Sequence, residues 1–244
     1  MSVVVMIPSR MASTRFPGKP LADIGGKPMI VRVMEQAQQA AVGEVWVAAG
    51  DQVIADAVEA AGGKAVLTDA DLANGSDRIW QGVQRLMAKG MPQPEIVINA
   101  QGDEPLLPPE LLVESVAVFA KQPAVDVVTF AHPITDEADI NNPTKVKAVT
   151  TRDGRALYFS RSPIPHGAKQ MARHIGFYAY RYAALKKYVA EMPGYLENTE
   201  KLEQLRGLEI GLHYHVLMTK HEPIGVDTPA DLEAVLKLLK LVRG

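Results

Sequence analysis

A chain of 244 residues buries roughly 70–75% of its unfolded surface on folding, so it needs no covalent staples. It contains no cysteine, which excludes disulfides, thiolate metal sites and a cysteine nucleophile. Lys and Arg number 26 against 28 Asp and Glu, with no basic run, which argues against nucleic-acid binding through a basic face, and the apolar stretches are too short and too periodic to span a membrane.

Val3–Pro8 is a β-branched run of the kind a buried central strand requires. Met1–Ile7 has no basic n-region and reads as that strand, not as a signal peptide; with the missing cysteines, this points to a cytoplasmic protein. A Gly/Pro/Arg loop follows, then a helix over Pro28–Ala41 with Met29, Val33, Ala37 and Ala40 on one face. Strands are expected at Glu44–Ala49, Lys64–Thr68 and Glu95–Ala100, alternating with helices at Val53–Ala61 and Ser76–Lys89. Leu111–Gln122 is a helix with Leu112, Val116, Phe119 and Ala120 facing the core. Strands alternating with helices predict an α/β fold, a mostly parallel sheet with helices on both faces. Ligands of such sheets bind beyond the carboxyl ends of the strands. Three loops lie there: the one after Pro8, the Gln101–Pro105 turn and Asp71–Arg78.

After Val125 the rhythm changes. Val125–Ala131, Val146–Thr150, Ala156–Ser160 and Ile175–Tyr180 are strand-like with few helices between, and Asp153-Gly154 is a tight-turn signal. The expectation is one domain over 1–244 with an antiparallel insertion over 125–180. A helix returns at Thr199–Glu209, with Leu202, Leu205 and Leu208, followed by a strand at His213–Met218 and a helix at Pro229–Leu241.

The loop Ser9–Lys19 carries Arg10, Arg15 and Lys19 beside Ser9, Ser13, Thr14 and Gly18. Guanidinium forks, hydroxyls and backbone N–H groups are what a triphosphate needs, and lysine adds a mobile point charge. The loop fits neither GxxxxGK[ST] nor GxGxxG. On residue chemistry alone a solvated basic loop explains it equally well; its place after the first buried strand favours a phosphate site. Asp103 ends the fourth strand and Asp227 precedes the last helix. Two carboxylates meeting over a triphosphate suit magnesium, but spacing alone favours a turn former for Asp103 and a charge at a helix N-terminus, with Thr228 as N-cap, for Asp227.

Pro8–Leu21 resembles the signature loop of sugar nucleotidyltransferases, closest to the cytidylyltransferases that activate 3-deoxy-manno-octulosonate (Kdo). The likeness runs in order through Gln101-Gly102-Asp103-Glu104-Pro105, Leu157–Arg161, Arg173–Tyr178, Leu202–Arg206 and Gly225–Pro229. Gly75, Asp77 and Arg78 keep the family pattern, while Leu72, Asn74 and Ser76 stand where the family shows histidine, serine and threonine. The resemblance implies a nucleotide-diphospho-sugar transferase-like fold whose inserted segment, 125–180, serves sugar binding and dimerisation. It implies Mg2+ held by Asp103 and Asp227, with Lys19 and Arg10 completing the catalytic set. Pro8, Arg10, Ser13, Arg15, Lys19, Ser76, Arg78 and Gln101 would bind CTP. Gln101, Arg161, His174, Tyr178, Glu203 and Gln204 would bind the acidic eight-carbon sugar. The implied reaction is CMP transfer for lipopolysaccharide synthesis by a cytoplasmic homodimer.

Other readings stay beside this one. The sugar could be 8-amino-Kdo or another ulosonic acid. Without the family, His174 reads as a packed core histidine, Tyr178 as core, Arg161 as a surface ion pair, and Glu203 and Gln204 as the wet face of a helix. A non-catalytic nucleotide sensor would be expected to lose Lys19, Asp103 or Asp227, and all are present. A glycosyltransferase would carry Asp-x-Asp; Asp69-Ala70-Asp71 has that form but follows the third strand, not a central one.

Overall fold

The computed structural model describes residues 1–13, 15–72, 74–222 and 224–242. Thr14 of the basic loop and Ala73 of the Asp71–Arg78 loop lie outside the described residues. The chain forms two compact units, residues 1–113 with 223–244, and residues 114–222.

In the first unit, β1 (Val3–Ser9) is followed by a 3-10 turn at Lys19–Leu21, α1 (Met29–Gln39), β2 (Glu44–Ala49), α2 (Gln52–Ala60), β3 (Ala65–Leu67), α3 (Gly75–Ala88) and β4 (Ile96–Asn99). The strands lie in the order β3-β2-β1-β4, all parallel. Val4, Val5, Met6 and Ile7 are each at most 2% exposed, as a central strand covered on both faces must be. The predicted elements appear here within two residues of their expected ends. Met29, Val33 and Ala37 are buried as α1's inner face, and Ala40 is half-buried.

Close approach is set by glycine at two points. A Cβ at Gly82 of α3 would come 2.6 Å from Met6 Cε, which brings that helix onto β1. A Cβ at Gly102 would come 2.5 Å from the Pro8 carbonyl oxygen, so only glycine lets the turn after β4 lie against the end of β1.

α4 (Pro109–Lys121) differs from expectation. Leu112 and Phe119 are buried, but Val116 is only half-buried and Ala120 is exposed; Leu111, Ser115 and Val118 complete the inner face. Alanine carries too little apolar surface to set a helix's orientation against leucine and phenylalanine.

The second unit holds β5 (Val127–Ile134), α5 (Glu137–Asn141), β6 (Lys147–Thr150), β7 (Ala156–Ser160), β8 (Met171–Arg181), α6 (Tyr182–Ala190), α7 (Tyr195–Glu200), α8 (Gln204–Glu209) and β9 (Tyr214–Met218). β5 runs antiparallel to β8 and parallel to β9. β6 runs antiparallel to both β7 and β8. The helix expected over Thr199–Glu209 is two short helices, broken at Lys201, whose φ of 55° is left-handed. α6, which buries Ala184, Leu185 and Tyr188, occupies a stretch with no expected element.

The chain returns to the first unit for α9 (Pro229–Val242). Ile24, Met29, Val226 and Val235 form a buried cluster there, and Phe16 packs against it. The aromatic ring in the basic loop is therefore an anchor.

Candidate active site

The basic loop is held to the fold by one hydrogen bond and one packed ring, and shaped by an internal bond and a glycine turn. The Met11 N–H donates to Asp51 Oδ2 at 2.7 Å, and the Phe16 N–H to Ser13 Oγ at 3.3 Å. Phe16 is held by packing. Gly18, at φ 72°, turns the chain into the 3-10 segment that presents Lys19, a left-handed conformation that favours glycine.

Lys19 Nζ then lies 2.9 Å from Asp103 Oδ2 and 3.2 Å from Asp227 Oδ1. Arg15 Nη2 reaches the same Asp227 oxygen at 3.1 Å. The main chain supports the meeting, since the Val226 N–H donates to the Asp103 carbonyl at 2.8 Å. Helix capping does not occupy Asp227. The Asp231 N–H donates to Thr228 Oγ1 at 3.3 Å, and Asp231 Oδ2 accepts the N–H groups of Asp227 and Thr228 at 3.1 and 2.8 Å. Thr228 and Asp231 thus form a reciprocal capping box, and the Asp227 carboxylate is left to the cations. Asp103 likewise does more than turn the chain.

These groups open on a cleft of about 760 Å3, whose walls include Ser9, Arg10, Ser13, Arg15 and Gln101. That volume lies within the usual range for small-molecule sites. A recess of about 100 Å3 shares Arg10 and is bounded by Pro8, Leu72, Asn74, Gly75 and Arg78. Asn74 caps α3, its Oδ1 accepting the Asp77 N–H at 2.8 Å. Arg78 is 2% exposed; Nη1 donates to Thr68 Oγ1 at 2.6 Å and to the Asp69 carbonyl at 2.9 Å, and Nη2 to the Ala70 carbonyl at 3.2 Å. Burial first, and then the charge of Arg10, press its pKa down. The charges of Asp51, Asp69 and Asp71 oppose that shift. Ser76 is fully buried in the first turn of α3.

The expected sugar residues other than Gln101 lie in the second unit. His174, Tyr178 and Gln204 form one buried chain of polar contacts. Tyr178 Oη donates to Gln204 Oε1 at 3.2 Å, and Gln204 Nε2 lies 3.5 Å from His174 Nδ1. His174 Nε2 is 2.9 Å from Thr129 Oγ1, which donates to the Phe177 carbonyl at 2.7 Å. Because Thr129 has a single hydroxyl proton, this chain makes Nε2 the protonated nitrogen and Nδ1 an acceptor. Burial pushes the His174 pKa from 6.5 down to about 3. Glu203 is half-buried just before α8, and its carbonyl accepts from Tyr188 Oη at 3.1 Å. Arg161 bonds main-chain carbonyls, with Nε on Glu200 at 2.8 Å, and pairs with no side-chain carboxylate through its guanidinium among the described residues.

The His174 shift has a measurable consequence. The unfolded histidine takes a proton near pH 6.5 and the folded one only near 3, so stability is full above 6.5 and declines as pH falls through that window. The slope from this group is at most about 1.4 kcal/mol per pH unit. Urea unfolding between pH 7 and 5 is expected to show a shallower decline for His174→Gln than for the unaltered chain. Equal slopes would mean that His174 is charged in the fold.

A family model described as cytidylyltransferase matches residues 4–219. The chain belongs to this family. Within it, the chain groups with the 3-deoxy-manno-octulosonate cytidylyltransferases. The protein of that name from Rhodospirillum rubrum is 50% identical over 242 residues, covering 97% of this chain and 95% of the relative. That of Parvibaculum lavamentivorans is 50% identical over 234 residues, covering 94% and 90%. A solved CMP:2-keto-3-deoxy-manno-octonic acid synthetase complexed with CTP superposes with a TM-score of 0.91 at 40% identity, covering 99% of this chain and 100% of that one. A 4-diphosphocytidyl-2C-methyl-D-erythritol synthase from Anaerococcus prevotii, 15% identical with a TM-score of 0.62, shares the fold. In this cytidylyltransferase, Asp51 and Phe16, which fix the loop, and Asp231, which leaves Asp227 to the cations, escaped the sequence reading. The Thr-x-x-Asp spacing of Thr228 and Asp231 was a visible capping signal.

Proposed function

We propose that this chain transfers CMP from CTP to the anomeric 2-hydroxyl of Kdo, releasing pyrophosphate and supplying activated sugar for lipopolysaccharide synthesis. The observation that carries the reading is the Lys19 ammonium shared by Asp103 and Asp227 at a cleft that also presents Arg10 and Arg15. The hydroxyl oxygen bonds to the α-phosphorus, the bond to the α,β-bridging oxygen breaks, and the hydroxyl proton passes to solvent. No covalent enzyme intermediate is needed.

Arg10, Arg15 and Lys19 hold the phosphates and oppose the negative charge that grows on the leaving pyrophosphate. Ser13, Gln101 and the Pro8–Arg78 recess orient the nucleotide. Arg161, His174, Tyr178, Glu203 and Gln204 serve the sugar acid, His174 as a neutral group. Asp103 and Asp227 would hold magnesium. The donors are oxygen only, and a positive group already lies between them. Magnesium takes such sites, with one or two carboxylates and the substrate's phosphates. Bound there, it would lower the pKa of the attacking hydroxyl and offset phosphate charge. A cytoplasmic homodimer is part of the same reading.

Pyrophosphate release, measured with CTP, UTP and ATP each against Kdo and 8-amino-Kdo, tests it. CTP with Kdo should turn over fastest. Release that is equal for ATP, or that is absent with CTP and Kdo in magnesium, would overturn it.

A further inference from the structure

Lys147 is the first residue of β6 and is 0% exposed. Among the described residues no carboxylate pairs with it. Its Nζ donates instead to two main-chain carbonyls, Asn142 at 2.8 Å and Arg161 at 2.9 Å. An ammonium buried without a counter-ion is costly, and burial accordingly pushes its pKa down. A methionine of similar length would fill the space without that cost, so what the lysine joins calls for a reason.

It joins segments distant in sequence. Arg161, whose carbonyl it holds, sends its guanidinium to three more carbonyls: Nε to Glu200 at 2.8 Å, Nη1 to Pro143 at 3.1 Å and Nη2 to Lys201 at 3.2 Å. Glu200 closes the knot, Oε1 accepting from Ser160 Oγ at 2.6 Å and Oε2 from the Arg161 N–H at 2.9 Å. Residues 142–143, 160–161 and 200–201 are therefore pinned together, immediately before Glu203 and Gln204. Of the five N–H donors of a guanidinium, these carbonyls take three, which leaves two on the Nη atoms.

We propose that Lys147 is a positioning residue for sugar-acid binding. It clamps the main chain that carries Arg161, so that the guanidinium is preset to receive the sugar carboxylate. Preset donors spare the cost of ordering them on binding. The proposal rests on the reading of Arg161 as a sugar-acid ligand given above.

The test compares Lys147→Met, Arg161→Lys and the double variant, with CTP and Kdo varied separately. Lys147→Met is expected to raise KM for Kdo about tenfold or more, with KM for CTP and kcat changed less than about threefold. The double variant should be no worse for Kdo than Arg161→Lys alone, because both act through one group. Should Lys147→Met fail to fold, Glu200→Gln loosens the same knot with Lys147 in place and decides by the same KM split. Kdo binding that suffers in Arg161→Lys but not in Lys147→Met or Glu200→Gln overturns the positioning role and spares the reading of Arg161. Unchanged Kdo binding in Arg161→Lys overturns both.

Discussion

Asp227→Ala and Asp103→Ala are each expected to lower CMP transfer at least about a thousandfold, or roughly 4 kcal/mol of transition-state stabilisation, while the melting temperature moves little. The two halves of this expectation have different causes. Both carboxylates are partly exposed, with side chains 45% and 33% accessible, and such pairs contribute about 1 kcal/mol or less to stability. Asp227 does not cap α9, because Thr228 and Asp231 do, so its loss leaves the helix start intact. The catalytic loss is expected to be large because, on the magnesium reading, Asp103 and Asp227 are the protein's whole contribution to holding the cation against the phosphates, and each alanine halves it. Pyrophosphate release and thermal unfolding on the same preparations check both halves. Magnesium-dependent turnover by Asp227→Ala near the unaltered rate would sink the metal assignment.

Lys19→Met should lower kcat by about a hundred- to a thousandfold, the range for removing one preorganised charge at a developing anion. Its Nζ is the single cation within bonding distance of both Asp103 and Asp227 among the described residues, and Arg15 would still reach Asp227. Without Lys19 the two carboxylates face each other with less positive charge between them. Added magnesium should therefore raise the melting temperature of Lys19→Met more than that of the unaltered chain, because binding to the folded state alone stabilises by mass action. Equal magnesium shifts in the two proteins would mean that the ammonium and the metal do not compete for the carboxylates.

Much of the first unit was legible from the chain itself. Val3–Pro8 can be little other than a central strand, because a β-branched run buried on both faces has no alternative place in an α/β fold. Asp103 and the basic loop follow as neighbours at the carboxyl ends of strands. Period and composition suffice there because each element's pattern agrees with its tertiary role. Agreement fails in the second unit. The single helix read over Thr199–Glu209 ignores the left-handed turn at Lys201, which no propensity signals, since lysine is a good helix former. Ala120 fits the apolar period of α4 yet faces solvent.

The sequence by itself determined the fold class, the strand order of the elements along the chain and the identity of the charged groups at the cleft. Only the tertiary structure decided what those groups do to one another. On spacing alone Asp227 read first as a favourable charge at the start of the last helix, until Asp231 was found serving that end. His174 became neutral only once the fold buried it, with Thr129, 45 residues away, as its partner in the buried chain. Lys147 drew no notice in the sequence, because one lysine in a strand looks exposed until the carbonyls of Asn142 and Arg161 close over it. The common reason is range. Periodicity and turn chemistry act over a few residues, whereas charge pairing and desolvation depend on which distant segments meet, and that is a property of the folded chain alone.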